Sequence, residues 1–320
     1  MKVSVALCTY NGEKFLEEQF NSYLTQTLQP QEIVICDDGS TDKTIEIAET
    51  LRKKTNIPVR IYRNDSQLGF VKNFEKAISL CTGDLIALSD QDDVWMPDKL
   101  EILVSEFKRD ENRNLKLIFT DLDLVNENLE PLGKTMWGAM GFDEKLRQTC
   151  LDKGFLYVLK KTSYVTGASV MIRKELVKDA TPFEDKAELW FHDGQLAVLA
   201  AKQKAIKFIE RPLVLYRQNN TQSIGTKYLN LPSQLSLILN HNLKKKKSDM
   251  IFFEKAGVWD RGEKGNLERE IKHIEQRIDI LKKSFFRRII PVGIELIKLN
   301  YWKFYRWRFL KVALSDFLND

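Results

Sequence analysis

"ALSDQDDVWMPDKL", Ala87 to Leu100, sets three aspartates, Asp90, Asp92 and Asp93, within four positions directly after an apolar run. Like charges at that spacing repel and disfavour one another's ionisation, so holding them together requires an offsetting interaction. The preceding "DLIALSD" has the apolar continuity of a buried strand. The following "PDKLEILVSEFKR" has helical periodicity, with Pro97 near its start, where a missing N–H costs least. The aspartates therefore stand in the turn at a strand's carboxyl end.

The same arrangement recurs upstream. "KVSVALC" reads as a strand and is followed by Thr9-Tyr10-Asn11. "EKFLEEQFNSYLTQ" then puts Phe15, Leu16, Phe20, Tyr23 and Leu24 on one helical face. "EIVICD" is the next strand and ends in Asp37-Asp38-Gly39-Ser40; the helix "STDKTIEIAETLRKK" opens on a capping-type Ser-Thr-Asp cluster. "PVRIYR" and the helix "FVKNFEKAISLC" complete the alternation, and "LKLIFTDLDLV" follows the acidic turn and its helix. Apolar strands alternating with helices predict an α/β domain with a mostly parallel, buried sheet. In such sheets ligands bind beyond the carboxyl ends of the strands, where all three polar clusters fall.

The totals agree with one large domain or two ordinary ones: 320 residues, 43% hydrophobic and 30% charged. A net charge of +5 is mild, and no nucleic-acid partner is expected from it. The cysteines at 8, 36, 81 and 150 form no CxxC or Cys/His cluster, which argues against structural zinc and fits a reduced, cytoplasmic setting. The apolar run in "MKVSVALCTYNG" is too short for a signal peptide, and no stretch reaches the ~18 apolar residues of a membrane span. Beyond residue 130 the pattern loosens, with a β-like "YVTGASVMIR", a helix around "HDGQLAVLAAKQ" and a strand "PLVLYRQ". After Gly225 it becomes helical and charged, so a boundary is expected near 226, dividing a domain of residues 1–225 from a helical, basic and aromatic region of residues 226–320.

Carboxylates in a short turn are stabilised by a hard divalent cation. Mg²⁺ or Mn²⁺ takes oxygen ligands, often only one or two from protein, with phosphate and water completing the shell. The competing explanation is that Asp93 and Asp98 cap the following helix and the rest is a solvated loop.

The ordered set "VSVALCTYNGEKFLEEQFNSYLTQTLQPQEIVICDDGSTDKT", "NDSQLGFVKNFEKAISLCTGDLIALSDQDDVWMPDKL", "TGASVMIRKEL" and "HDGQLAVLA" resembles the family 2 glycosyltransferases of GT-A (Rossmann-like) fold. "SDQDDVW" with "HD" is similar to bacterial rhamnosyltransferases of cell-wall, capsule and O-antigen synthesis. The resemblance implies an inverting, metal-dependent transfer from a nucleotide sugar, best dTDP-L-rhamnose and otherwise a UDP-sugar, to a surface polysaccharide or lipid-linked acceptor. It implies that Asp92 binds Mg²⁺ or Mn²⁺, that Asp90 faces the donor's ribose or sugar with Gln91 beside it, that Asp38 accepts a hydrogen bond from the base, and that Tyr10 packs on that base. Lys72 and Asn73 fall where the family has donor contacts, although Lys72 alone would read as a solvated helix charge. Asp193 matches the catalytic base, with His192 beside it, Trp190 and Phe191 as an apolar wall, and Gly167 allowing close backbone approach near the acceptor. Relatives often carry a histidine after the strand matching "PLVLYRQ"; here Asn219 and Asn220 follow, so metal binding is expected to rest on Asp92, phosphates and water.

Three other classes fit the sequence less well. A nucleotidyltransferase should carry a Gly-rich basic phosphate loop after the first strand, and "CTYNGEKF" is a poor match. A receiver-type signalling module would explain "VICDDG" but not "SDQDDVW" or the chain's length. An inactive sugar-nucleotide-binding scaffold is disfavoured by the retained Asp92 and Asp193.

The closing "IIPVGIELIKLNYWKFYRWRFLKVALSDFL" aligns Ile294, Tyr301, Tyr305, Phe309 and Val312 on one helical stripe, with Lys303, Arg306, Arg308 and Lys311 off it. Such a helix suits the inner face of an anionic membrane, each basic residue contributing about 1 kcal/mol at low salt, or else it packs on the protein. Truncation before Ser284 is expected to abolish sedimentation with anionic liposomes while transfer to a soluble acceptor analogue survives. If the tail instead packs on the protein, the truncated chain will be insoluble and the full-length chain will ignore the liposomes.

Overall fold

The computed structural model describes residues 1–184, 190–218, 235–259 and 261–281. Internal contacts divide them into two units, 1–184 with 190–218 and 235–281. The first opens with β1 (Val3–Thr9), α1 (Leu16–Leu24), β2 (Glu32–Asp37), α2 (Thr44–Lys53), β3 (Val59–Arg63), α3 (Phe70–Leu80) and β4 (Leu85–Ser89). β1, β2 and β4 are buried along their whole length, as uninterrupted apolar strands covered on both faces must be. They pair in parallel in the order β3-β2-β1-β4. Parallel pairing in register, Cys8 with Cys36 and Leu7 with Ser89, brings the polar clusters after β1, β2 and β4 to one rim.

Beyond β4 the sheet becomes mixed: β5 (Val94–Trp95), α4 (Lys99–Arg109), β6 (Leu117–Val125), β7 (Pro131–Thr135), α5 (Met136–Met140), α6 (Glu144–Lys153), α7 (Phe155–Leu159), β8 (Met171–Arg173), α8 (Glu175–Ala180), α9 (His192–Lys202) and β9 (Ile206–Arg217). The order continues β4-β8-β6-β9-β5, with β7 on β6. The result is a GT-A-type α/β fold, a sheet flanked by helices. The β-like "YVTGASVMIR" yields only the three residues of β8, because Gly167–Ser169 forms a turn of 3₁₀ helix at the ligand rim. Chain arriving from that rim has to descend, so β8 runs antiparallel to β4 and β6. The core joins both faces through Leu7, Phe20, Ile35, Leu85, Trp95, Phe107 and Ile118. Cys8, Cys36, Cys81 and Cys150 are all buried and unbonded.

The second unit is a hairpin of α10 (Leu235–Ala256) and α11 (Arg261–Leu281). Leu239, Phe253, Leu267, Ile271 and Ile274 are buried within it. The lysine run at 244–247 is a charged face: Lys245 pairs with Asp249 at 3.0 Å, Lys247 with Glu275 at 2.7 Å, and Lys246 with Glu270. No described helix is long and apolar enough to cross a membrane. The aromatic, basic stripe from Ile294 to Val312 lies outside the described residues.

One buried carboxylate ties the parallel strands together at the end opposite the rim. Glu32 accepts from Ser4 Oγ at 2.5 Å, from Thr82 N at 2.6 Å and Thr82 Oγ1 at 2.8 Å, and from Arg60 at 2.6 Å. Burial opposes its ionisation, but these bonds prevail and hold its carboxyl down at about 2. A depressed carboxylate contributes stability above its unfolded value and loses it as pH falls through the folded one. Glu32 is therefore expected to contribute up to about 3 kcal/mol at neutral pH, lost between about pH 5 and pH 2. Glu32→Gln should lower the urea midpoint at pH 7 and flatten its dependence over that interval.

Candidate active site

The acidic turn rests on helix α1. Gln19 Nε2 donates to Ser89 Oγ at 2.6 Å, and the Tyr23 hydroxyl lies 2.6 Å from the same atom. Trp95 N donates to Ser22 Oγ at 3.1 Å, and Tyr23 meets the Trp95 ring edge-on at 4.7 Å. Both ends of Asp90–Asp93 are thus fixed by buried polar side chains of one helix.

Gln91 turns its amide toward the end of β1, accepting from Tyr10 N at 2.8 Å and donating to Tyr10 O at 2.9 Å. This copies a strand pairing beyond the last ladder bond. Gly12 is needed beside it, since a Cβ there would collide with the Gln91 amide. The Tyr10 ring is left 43% exposed at the rim. Asn11, with φ of 48°, turns its side chain to the β2 loop, where Thr41 N donates to it at 2.9 Å.

Asp38 is buried and already engaged. Its Oδ1 accepts from Asn64 Nδ2 at 2.8 Å and Leu68 N at 2.7 Å, and its Oδ2 from Gly69 N at 2.9 Å. Gly69 has φ of 80°, a conformation that favours glycine, and it starts α3. Asp38 therefore folds the 64–69 loop over the rim. Asn73 supports it, accepting from Asn64 Nδ2 and donating to Cys36 O. Lys72 has two protein partners, Glu75 Oε2 and Phe183 O, both at 2.9 Å. It is a clamp between α3 and the segment before α9 rather than a solvated charge.

Asp193 is the second residue of α9, and both of its carboxylate oxygens are fixed. Oδ2 accepts from Gly167 N at 2.8 Å, and Oδ1 accepts from Gly194 N at 2.7 Å. A Cβ at Gly167 would stand 3.0 Å from His192 Nε2, a tight contact that glycine avoids. His192 is stacked on Phe74 at 3.9 Å, and burial lowers its pKa, keeping the imidazole neutral. Trp190 is buried, and Phe191 packs edge-on against the partly exposed Phe70 at 4.8 Å.

The four aspartates act on one another. Burial, then the charges of Asp92 and Asp193, push Asp90 up to about 7. Burial, then Asp92 and Asp90, raise Asp93 well above the carboxylate range. Asp93 is wholly buried; its Oδ1 accepts from Arg217 N at 3.1 Å, and its Oδ2 has no partner. The capping expected of Asp93 and Asp98 is not seen: Asp93 accepts from Arg217 N, and Asp98, at the N-cap of α4, makes no side-chain capping bond. Excess negative charge around an orphaned oxygen fits a divalent cation. Among the described residues no group of three His, Cys, Asp or Glu converges as metal ligands. Asn219 and Asn220 lie outside the described residues.

Three residues at this site were not singled out from sequence. Arg217, almost fully buried, donates through Nε to Asp92 O at 2.8 Å, reaches Glu127 O and Glu18, and stacks over Phe15 at 4.4 Å. Tyr216 is half-buried near all four aspartates, which, after burial itself, keep its phenol protonated. Lys99 is wholly buried in α4, its Nζ donating to Ala168 O at 2.6 Å and lying 3.7 Å from the centre of the Trp95 ring. A buried lysine on a helix gives no local signal except its unfavourable place on the apolar face with Leu103.

Similar proteins place this geometry in a family. An uncharacterized glycosyltransferase of Nostoc sp. is 28% identical over 220 residues, 68% of this chain; the chain spans 65% of that relative, just under two thirds. A dTDP-rhamnosyl transferase of Shigella flexneri is 28% identical over 234 residues, covering 68% of this chain and 73% of that protein. The fold is shared with S. aureus TarS 1–349, solved in complex with UDP-GlcNAc, at a TM-score of 0.57 and 16% identity over 99% of this chain and 89% of that one. Residues 4–180 match the sequence model of glycosyl transferase family 2, and the chain belongs to that family.

Proposed function

We propose that the chain is an inverting, metal-dependent glycosyltransferase that moves L-rhamnose from dTDP-L-rhamnose to a bacterial surface polysaccharide or lipid-linked acceptor. One observation carries the transferase reading: Asp193, held at both oxygens by backbone N–H groups, stands close enough to the strand-end aspartates for its charge to help raise Asp90. Inversion requires one carboxylate on the acceptor's side to take the hydroxyl proton as that oxygen attacks the anomeric carbon and the sugar–diphosphate bond breaks. Fixed by Gly167 and Gly194, the Asp193 carboxylate has one orientation and needs no rearrangement to accept the proton. Asp92, with Asp90 beside it, would hold Mg²⁺ or Mn²⁺, which when bound stabilises charge on the departing diphosphate.

The donor would lie along the rim. A carboxylate has about four lone-pair directions, and Asp38 uses three, leaving one for the imide N–H of thymine or uracil. The exposed Tyr10 ring offers the base a stacking surface, and the Tyr10–Gln91 amide pair keeps the β1 and β4 loops at fixed separation. Rhamnose is favoured by "SDQDDVW" and "HD", and by the name of the Shigella relative. An acceptor carried on lipid places the reaction at the inner face of a membrane.

Asp193→Asn is nearly isosteric but cannot take the proton, so turnover should fall by roughly 10²-fold or more with donor affinity little changed. Near-normal turnover would assign the base elsewhere. Asp92→Ala should abolish metal-dependent donor binding in calorimetry while the melting curve stays cooperative; donor affinity indifferent to EDTA in both proteins would remove the metal role.

The donor is settled by titrating dTDP-L-rhamnose against UDP-glucose, UDP-galactose and UDP-N-acetylglucosamine and measuring nucleoside diphosphate release. The rhamnosyl donor should give the highest kcat/KM. Preference for a UDP-sugar would overturn the rhamnose assignment and leave the transferase reading standing.

A further inference from the structure

The wholly buried Lys99 has no role in the chemistry above. Its residue exposure is 0%, its ammonium donates to a carbonyl oxygen, and among the described residues no carboxylate oxygen lies within ion-pair distance of it. Burying an ammonium without a bonded counter-ion is costly, and burial pulls its pKa well below the ordinary lysine value against the charges of Asp93 and Asp90. A methionine would fill much the same volume without that cost. What the amine gains is position. Nζ sits over the Trp95 ring at 3.7 Å and donates at 2.6 Å to Ala168 O. Ala168 is the middle residue of the 3₁₀ turn Gly167–Ser169, and the first residue of that turn supplies the N–H that holds Asp193 Oδ2 at 2.8 Å. Trp95 is itself fixed by Ser22 and Tyr23, the helix-α1 residues that support the acidic turn.

We propose that Lys99 is a positioning residue: it pins the 167–169 turn to Trp95 and so fixes the Gly167 N–H that orients the Asp193 carboxylate. Through it, the two halves of the site share one rigid support, the acidic turn above β4 and the base at the start of α9. Without the amine, Ala168 O loses its buried donor and the Ala168–Ser169 peptide shifts; Ser169, whose N and Oγ hold Thr166 O at 3.0 and 2.8 Å, carries that shift to the Thr166–Gly167 peptide, and the Gly167 N–H bond to Asp193 lengthens. The inference rests on Asp193 being the base.

The test uses the full chain and two variants, Lys99→Met, which keeps the volume, and Lys99→Gln, which keeps an N–H donor on a shorter arm. Two readouts are taken: steady-state transfer with the preferred donor, and the Gly167 amide resonance in protein labelled with ¹⁵N-glycine, identified as the glycine signal lost in Gly167→Ala. Lys99→Met should lower kcat about tenfold or more with donor KM changed less than twofold, and should move the Gly167 amide upfield as its bond to Asp193 lengthens. The resonances of Gly39, after β2, and Gly133, in β7, should stay put. Normal turnover with an unmoved Gly167 amide overturns the proposal. So does a rise in donor KM with the amide unmoved, which would mean that Lys99 acts on Asp90 instead. Loss of cooperative melting in both variants would assign Lys99 to folding alone and also overturn it. Failure of the underlying reading is distinct: Asp193→Asn with near-normal turnover removes the base assignment whatever the Gly167 amide does, whereas an unmoved amide removes only the role of Lys99.

Discussion

Repulsion among Asp90, Asp92, Asp93 and Asp193 is the constraint around which the first unit is arranged. Asp93 is fully buried with one oxygen unpartnered, and Asp90 is pushed up to about 7 by burial and by its neighbours' charge. A pocket of that kind does not form by default; it must be held by structure built elsewhere. Here the holding is done by α1 beneath the turn, by Arg217 threading from β9 to Asp92 O, and by Lys99 from α4. Removal of solvent strengthens each charge's effect on the others.

The loops of the rim are braced against one another before any ligand arrives. Gln91 extends the β1–β4 pairing by one amide, Asn11 crosses to Thr41, and Asp38 gathers Asn64, Leu68 and Gly69. Lys72 ties α3 to Phe183 O. Such preorganisation moves the cost of ordering from the binding step to folding. It also gives several polar residues a structural task in addition to any contact with substrate, so substitutions at Asp38 or Lys72 are expected to disturb loop geometry as well as donor affinity.

Much of the architecture could be read from local pattern. Strand–helix alternation and apolar strands sufficed for β1 to β4 and α1 to α4, since burial on both faces leaves an uninterrupted hydrophobic signature. The strand ends also marked the rim, because parallel strands must all finish on the same side. The short elements β5, β7 and α5 to α8 were not legible, and β8 was read as part of a longer run than it forms. Three residues carry no periodicity, and its antiparallel direction follows from where the Gly167–Ser169 turn lies, not from "MIR". The capping expected at Ser40-Thr41-Asp42 is redistributed for a similar reason: Ser40 bonds Asp37 and receives Asn11 N, while Asp42 accepts from Thr44 N at 3.0 Å.

The sequence by itself determined the chain's class and the list of polar residues that could meet at the rim, because hydrophobic periodicity and turn chemistry act over a few neighbours and survive in one dimension. Only the tertiary structure decided which charges lose their water. Lys99 and Arg217 look like ordinary surface cations in the sequence, yet they lie at 0% and 1% exposure. Their partners are 69 residues away at Ala168 and 125 away at Asp92. Desolvation depends on everything packed around a group, and hydrogen bonds across such separations exist only after the sheet has closed.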